Sequence, residues 1–201
     1  LDAGLRHLQA ARAAHREHAV RLLIGEAQLL RESGRTADAL AALDQGLAAQ
    51  PDQPELLYEA ALVAERLGRI DVFEARLKRL LQLKPDHAHA LNALGYSLAE
   101  RNVRLDEAQA LIDQALALAP DDPFILDSKG WVQFRRGQKA AALDTLQRAF
   151  AIRSDPEIAA HIGEVMWALG RREEAAKTWA DAARLHPGND VLTATIKRFQ
   201  P

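Results

Sequence analysis

The sequence predicts an all-α solenoid of about five stacked helical hairpins with a single helix at each end, and three residue columns predict it. Ala27, Ala61, Gly95, Gly130 and Gly163 stand 34, 34, 35 and 33 residues apart. Gly34, Gly68, Asn102, Gly137 and Gly170 follow seven residues behind them, where each apolar-periodic stretch must turn. Pro51, Pro85, Pro120 and Pro187 close four of the five repeats. A fixed period of this length marks a stack in which every repeat buries its apolar face only against its neighbours. Small residues in the first column let paired helices approach closely, and the second column supplies backbones that adopt positive φ after a helix.

Taken in order, residues 1–19 hold the helix-like stretch Leu1 to His18 and read as the second helix of a preceding repeat. A chain that begins inside such a stretch without an initiator Met reads as part of a longer protein, any signal peptide or lipid anchor then lying upstream. Repeats follow at 20–53, 54–87, 88–122, 123–155 and 156–189, the third with one extra residue between Asn102 and Leu105. The fourth shows the pattern most fully. Phe124, Leu126, Trp131, Val132 and Phe134 are spaced as on a buried helix, Gly137 breaks it, and Ala142, Leu143, Leu146, Ala149, Phe150 and Ile152 resume at helical spacing. Pro123 after Asp122 and Pro156 after Asp155 mark helix starts, because proline at the first position lacks only an N–H that would be orphaned anyway. Asp190 to Phe199, within 190–201, reads as a terminal helix covering the last apolar face.

Composition narrows the function. At 201 residues, 48% hydrophobic and 27% charged, the chain has ample material for an ordered domain. A formal charge of −2 supplies no basic field, so nucleic acid is not an expected partner. The absence of cysteine excludes disulfides, thiolate catalysis and cysteine-based metal sites within these residues. No run of apolar residues is long enough to span a bilayer, so no direct membrane insertion is expected from this segment.

The small residue on the first helix, the turn glycine, and a later series resemble the tetratricopeptide repeat family. That series is Ala39, Ala108, Ala142 and Ala175, then Ala115, Ala149 and Ala182, with the closing prolines. The resemblance covers about residues 20 to 189 and implies a right-handed superhelix whose first helices line a concave groove. Phe73 and Leu80 depart from the small residues of the second helix, and Ser154 from the closing proline, so local helix spacing is expected to adjust there. Three blocks are similar to the C-terminal repeats of proteobacterial tetratricopeptide proteins that are often outer-membrane lipoproteins. They are Leu91 to Glu100, Leu126 to Trp131 and Ala160 to Arg171. That resemblance implies a periplasmic location with an upstream lipid tether, and a role as adaptor for a C-terminal processing protease and its cell-wall hydrolase clients. Scaffolding of exopolysaccharide export or envelope assembly, and homo-oligomerisation, are the alternatives.

On the first-helix faces the groove residues run Gln28, Leu62, Tyr96, Trp131 and Glu164. One turn further stand Arg31, Glu65, Ala99, Phe134 and Trp167, and one turn earlier Ile24, Tyr58, Asn92, Asp127 and Ala160. The face passes from polar to aromatic, and an exposed track of Tyr58, Tyr96, Trp131, Phe134 and Trp167 is expected to hold a peptide, since aromatic residues dominate interface hot spots. Asn92, Asp127, Arg135 and Glu164 complete the candidate protein-binding set. Packing between hairpins is the competing account of Phe134 and Trp167. A clamp for a C-terminal carboxylate is incomplete, with only Asn92, Arg31 and Arg135 as donors. His15 with His18 and His87 with His89 lack a third ligand, Ser97 lacks a strand–turn–helix elbow, and charges such as Arg171 to Glu174 read as solvated helix faces. Neither catalysis nor a cofactor is expected.

Overall fold

The computed structural model describes residues 2–199, so Leu1, Gln200 and Pro201 of the expected terminal helices lie outside the described residues. Among the described residues there are twelve α-helices, one 3₁₀ turn and no strand. They are α1 (Asp2–Ala14), α2 (Ala19–Glu32), α3 (Thr36–Ala49), α4 (Pro54–Arg66), α5 (Ile70–Leu83), α6 (Ala88–Glu100), α7 (Leu105–Leu118), α8 (Pro123–Arg135), α9 (Lys139–Ile152), α10 (Pro156–Ala168), α11 (Arg172–Leu185) and α12 (Asp190–Phe199). The chain is all-α. It divides into two compact bodies, Leu1–Ala90 and Leu91–Pro201, the division falling inside α6. The repeat pattern marks no such boundary, because contacts in a helical array are local throughout.

Each hairpin is turned by one device. After α2, α4, α8 and α10 the residues Gly34, Gly68, Gly137 and Gly170 take φ of 76°, 71°, 82° and 80°. The next N–H then reaches back five residues to a helix carbonyl, as Arg35 does to Leu30 at 2.8 Å and Gln138 to Gln133 at 2.9 Å. Asn102 replaces glycine in the third hairpin with φ 56°, which the short polar side chain tolerates. The extra residue there is absorbed by a second left-handed residue, Arg104 at φ 48°, immediately before α7. Asp122 and Asp155 cap their helices: Asp122 accepts from the N–H groups of Phe124 and Ile125 at 2.9 and 3.1 Å, Asp155 from that of Glu157 at 2.9 Å. Asp122→Ala is expected to cost about 1 kcal/mol, seen as a lower denaturant midpoint with an unchanged slope.

The expected continuous helix up to His18 is broken. α1 ends at Ala14, His15 leaves helical geometry and Arg16–His18 form a 3₁₀ turn. His15, Arg16, Glu17 and His18 are all exposed, so no apolar contact holds that stretch on a helix axis.

In the N-terminal body, Leu23, Leu40, Leu43, Leu56, Phe73, Leu77 and Leu80 form the core. Phe73 and Leu80 are fully buried, and the volume that alanine leaves open elsewhere is recovered from α4, whose Ala60, Ala61 and Ala64 are also fully buried. In the C-terminal body the first-column glycines set the packing. A β-carbon on Gly95 would stand 2.7 Å from Ile112, and one on Gly130 2.5 Å from Leu146. At Gly163 it would overlap the indole of Trp179. α12 closes this body by burying Leu192 and laying Phe199 against Trp167 and Trp179, at ring separations of 5.6 and 5.3 Å.

Candidate functional site

Each body opens a cavity on the first-helix face. In the N-terminal body Ile24, Gln28, Arg31, Glu59, Leu62 and Glu65 line about 390 Å³. Arg31 pairs with Glu59 at 3.7 Å there. Tyr58 is half-buried and tilts its ring against His87 at 5.3 Å. His87 uses Nδ1 to accept the Ala90 N–H at 3.1 Å, so it serves the start of α6.

In the C-terminal body a cavity of about 360 Å³ is lined by Tyr96 and Glu100 of α6, Trp131 and Arg135 of α8, His161 and Glu164 of α10, and Thr195 and Arg198 of α12, among others. At its base the His161 ring stacks on Trp131, with centroids 4.1 Å apart and planes 20° apart. His161 Nδ1 lies 2.9 and 3.0 Å from the two carboxylate oxygens of Asp127, and both residues are buried. The Trp131 indole N–H donates to Glu100 Oε2 at 2.8 Å. Arg135 holds its guanidinium 5.8 Å over the Trp131 ring while donating to the Glu100 carbonyl at 3.2 Å. Arg198 reaches from α12 to Glu164.

These contacts set the charges. Burial alone would pull the His161 pKa down, but the Asp127 carboxylate, helped by Glu164 and Glu100, outweighs it and holds the imidazole above its ordinary value. Glu164 is also pushed up, chiefly by burial, with Arg198 and His161 opposing.

Four of the candidate protein-binding residues therefore meet at one cavity, Tyr96, Trp131, Arg135 and Glu164, with Ala160 of the same face beside them. The expected exposed aromatic track requires correction. Trp131 is only 4% exposed because its ring is the stacking partner of His161. Phe134 packs behind it at 5.3 Å, against the hydrophobic core. Trp167 belongs to the closing cluster with Trp179 and Phe199, beneath the Arg172 guanidinium. Asp127 is the buried partner of His161, and Asn92 is half-buried with Oδ1 enclosed and without a hydrogen-bond partner. Tyr58 lies in the other body.

The sequence reading passed over His161, Glu100 and Arg198. A signal for two of them was present: Asp127 and His161 are 34 residues apart, as are Glu164 and Arg198, which is one repeat and hence one step to the neighbouring first helix. Among the described residues no cluster of three or more potential metal ligands occurs, and no helix is long and apolar enough to cross a membrane.

Stacked antiparallel hairpins with cavities on their first helices define a helical-repeat protein whose surface is built for contact. Models of the tetratricopeptide repeat match residues 1–54, 24–75, 58–123 and 128–190, and the chain belongs to that family. It is 40% identical over 199 residues, 99% of its length, to the TPR repeat-containing protein PA4667 of Pseudomonas aeruginosa. The chain spans 34% of that relative's length. The fold is shared with the thermophilic TPR protein TTC0263 of Thermus thermophilus (TM-score 0.80, 22% identity, 90% of this chain and 100% of that one). It is also shared with PilF of Pseudomonas aeruginosa (TM-score 0.69, 17% identity, 92% and 94%) and with MamA from Desulfovibrio magneticus (TM-score 0.65, 20% identity, 85% and 97%). Proteins of this family generally act as protein-interaction scaffolds, their repeats mediating partner binding.

Proposed function

We propose that this chain is the partner-binding part of an envelope adaptor, which recruits a C-terminal processing protease, its cell-wall hydrolase clients, or both. The observation that carries the binding half is the cavity of the C-terminal body, where Tyr96, Trp131, Arg135 and Glu164 converge with His161 and Arg198. The envelope half rests on the likeness of the three blocks to the repeats of outer-membrane lipoproteins. An adaptor of this kind acts by raising the effective concentration of enzyme and client, so the scaffold needs no chemistry of its own.

The test is affinity capture from envelope extract with the purified chain beside a Tyr96→Ala/Arg135→Glu variant, bound proteins being identified by mass spectrometry. Both substituted residues are half-buried and line the cavity, so circular dichroism first establishes that the variant folds. Recovery of a processing protease or cell-wall hydrolase that falls at least tenfold in the variant supports adaptor and site together. Recovery that persists moves the site off this cavity, and recovery of the bait alone favours self-association and counts against the adaptor.

A further inference from the structure

We propose that the edge of the C-terminal body formed by its hairpin turns is a docking surface for an anionic phospholipid membrane, on which this body lies edge-on with its first-helix face open. The inference rests on the envelope reading for the presence of a membrane and on nothing in the cavity. Because the helices of each hairpin are antiparallel, the turns after α6, α8 and α10 and the end of α12 share one edge, and the links between hairpins share the other. Over residues 100–107, 135–139, 168–174 and 197–199, lysine and arginine outnumber carboxylates nine to five. Over the opposite edge, residues 118–123, 152–157 and 185–191, the count is one to five. Helix capping does not account for the difference. Each edge carries both helix N-termini and helix C-termini, so the helix dipole favours the same mixture of charges on both. Yet α8 ends in Arg135 and α12 in Lys197 and Arg198, while α7 and α9 have no basic residue in the last turn.

Part of the positive charge is matched within the edge. Arg104 faces Glu107 at 3.7 Å, Arg136 pairs with Asp106, and Arg171 pairs with Glu174 at 2.6 Å. Lys139, Arg172 and Lys197 are exposed and form no ion pair among the described residues: Lys139 donates to the Ala168 carbonyl at 3.0 Å, and the Arg172 guanidinium lies 5.2 Å over the Trp167 ring. Two of the turns add exposed apolar side chains between the cations, Val103 and Leu169. Basic residues around short apolar tips suit a surface that rests among lipid headgroups, and the apolar part favours a membrane over an acidic protein. Each cation held near an anionic leaflet is worth about fivefold in partitioning, so the excess of nine cations over five carboxylates gives roughly several hundredfold at low salt. Contact of that strength is reversible, so it orients a protein without anchoring it.

The purified chain is sedimented with vesicles of phosphatidylglycerol and phosphatidylcholine in equal parts, and with phosphatidylcholine alone, at about 50 and about 300 mM NaCl. Binding is expected to the mixed vesicles only, weakening by about tenfold or more at the higher salt. Lys139→Glu/Arg172→Glu is expected to weaken it by more than about fiftyfold. Both positions are exposed and open their helices, where a carboxylate suits the helix dipole, and near-UV circular dichroism establishes that each variant folds. Arg148→Glu/Arg184→Glu makes the same change in net charge at exposed positions away from this edge and should leave most of the binding. Val103→Ser/Leu169→Ser should weaken vesicle binding about fivefold without changing its salt dependence. Polyglutamate is the acidic-polypeptide probe. Tighter binding to it than to the mixed vesicles, indifferent to Val103→Ser/Leu169→Ser, would assign the edge to an acidic protein and overturn the proposal. Absence of vesicle binding at low salt, or equal losses in the two charge-reversal variants, would overturn it as well. No partner protein enters, so failure here leaves the outcome of the capture experiment standing.

Discussion

Gly163→Ala is expected to destabilise the C-terminal body by roughly 3 kcal/mol, the combined result of overpacking and a disturbed buried hydrogen bond. A β-carbon at this position overlaps the Trp179 indole, which is fully buried and cannot swing aside. Its N–H donates to the Ala160 carbonyl at 3.1 Å, and its ring stacks on Trp167 at 5.9 Å and Phe199 at 5.3 Å. Moving the indole therefore breaks a hydrogen bond on α10 and loosens α12 together. The gain of about 1 kcal/mol that alanine brings to an ordinary helix interior is far too small to compensate. In thermal unfolding followed by near-UV circular dichroism the midpoint should fall by roughly 6–12 °C. Gly25→Ala supplies the internal control, since a β-carbon there meets nothing within 4 Å and only the helical gain remains. An unchanged midpoint for Gly163→Ala would show that the indole has room to move. Reducing the indole in the same background, as Gly163→Ala/Trp179→Leu, should cost less than the two single changes added together.

Asp127→Asn is expected to reverse the pH dependence that His161 gives to stability. In the native protein the folded imidazole titrates above its unfolded value, so its contribution is fully present below about pH 6.5 and is lost as pH rises through the folded pKa. Burial is already the largest single influence on the ring, and without the Asp127 charge only Glu164 and Glu100 oppose it, so the folded value is expected to drop below the unfolded one. Stability then rises with pH up to about 6.5, because the unfolded state binds the proton more tightly. Glu164, also raised, acts in the same direction as native His161 but from the carboxylate range upward, so its effect is spread over lower pH. Denaturant midpoints at pH 5.5 to 9 should therefore fall in the native protein and level or rise in the variant. At acidic pH the loss should be large, on the order of 3–5 kcal/mol, as for other buried pairs deprived of one partner. Parallel midpoint curves for the two proteins would sink this account of the pair.

The repeat architecture was legible because it depends on residue types that few other positions tolerate. The turn column requires positive φ, and the first column requires that no side chain intrude, so glycine, asparagine and alanine betray both. The later alanines could be read for the same reason. What eluded the sequence were relations between hairpins. Trp131 looked like a groove anchor because its helix face was correctly placed, but whether a ring on that face meets a partner or the adjacent first helix depends on a residue about thirty positions away. His161 is that residue, one of seven histidines, and nothing adjacent in the chain marks it because its Asp127 partner stands a full repeat away. Trp167 was misjudged likewise, since its cover comes from Phe199 on α12. The break at His15 was missed because helical appearance was judged from spacing, whereas the stretch lacks anything to pack against.

All three tryptophans, Trp131, Trp167 and Trp179, belong to the C-terminal body, and the N-terminal body has none. Indole fluorescence is consequently a private signal of one half of the chain, while far-ultraviolet dichroism sums the helices of both. Overlaying the two melting curves measures cooperativity without any engineered label: superimposed transitions mean one concerted event, and separated ones give each half its own stability. The His161 ring stacked on Trp131 is expected to quench its emission when protonated, which would give the same signal a second use as a reporter of protonation beside the cavity.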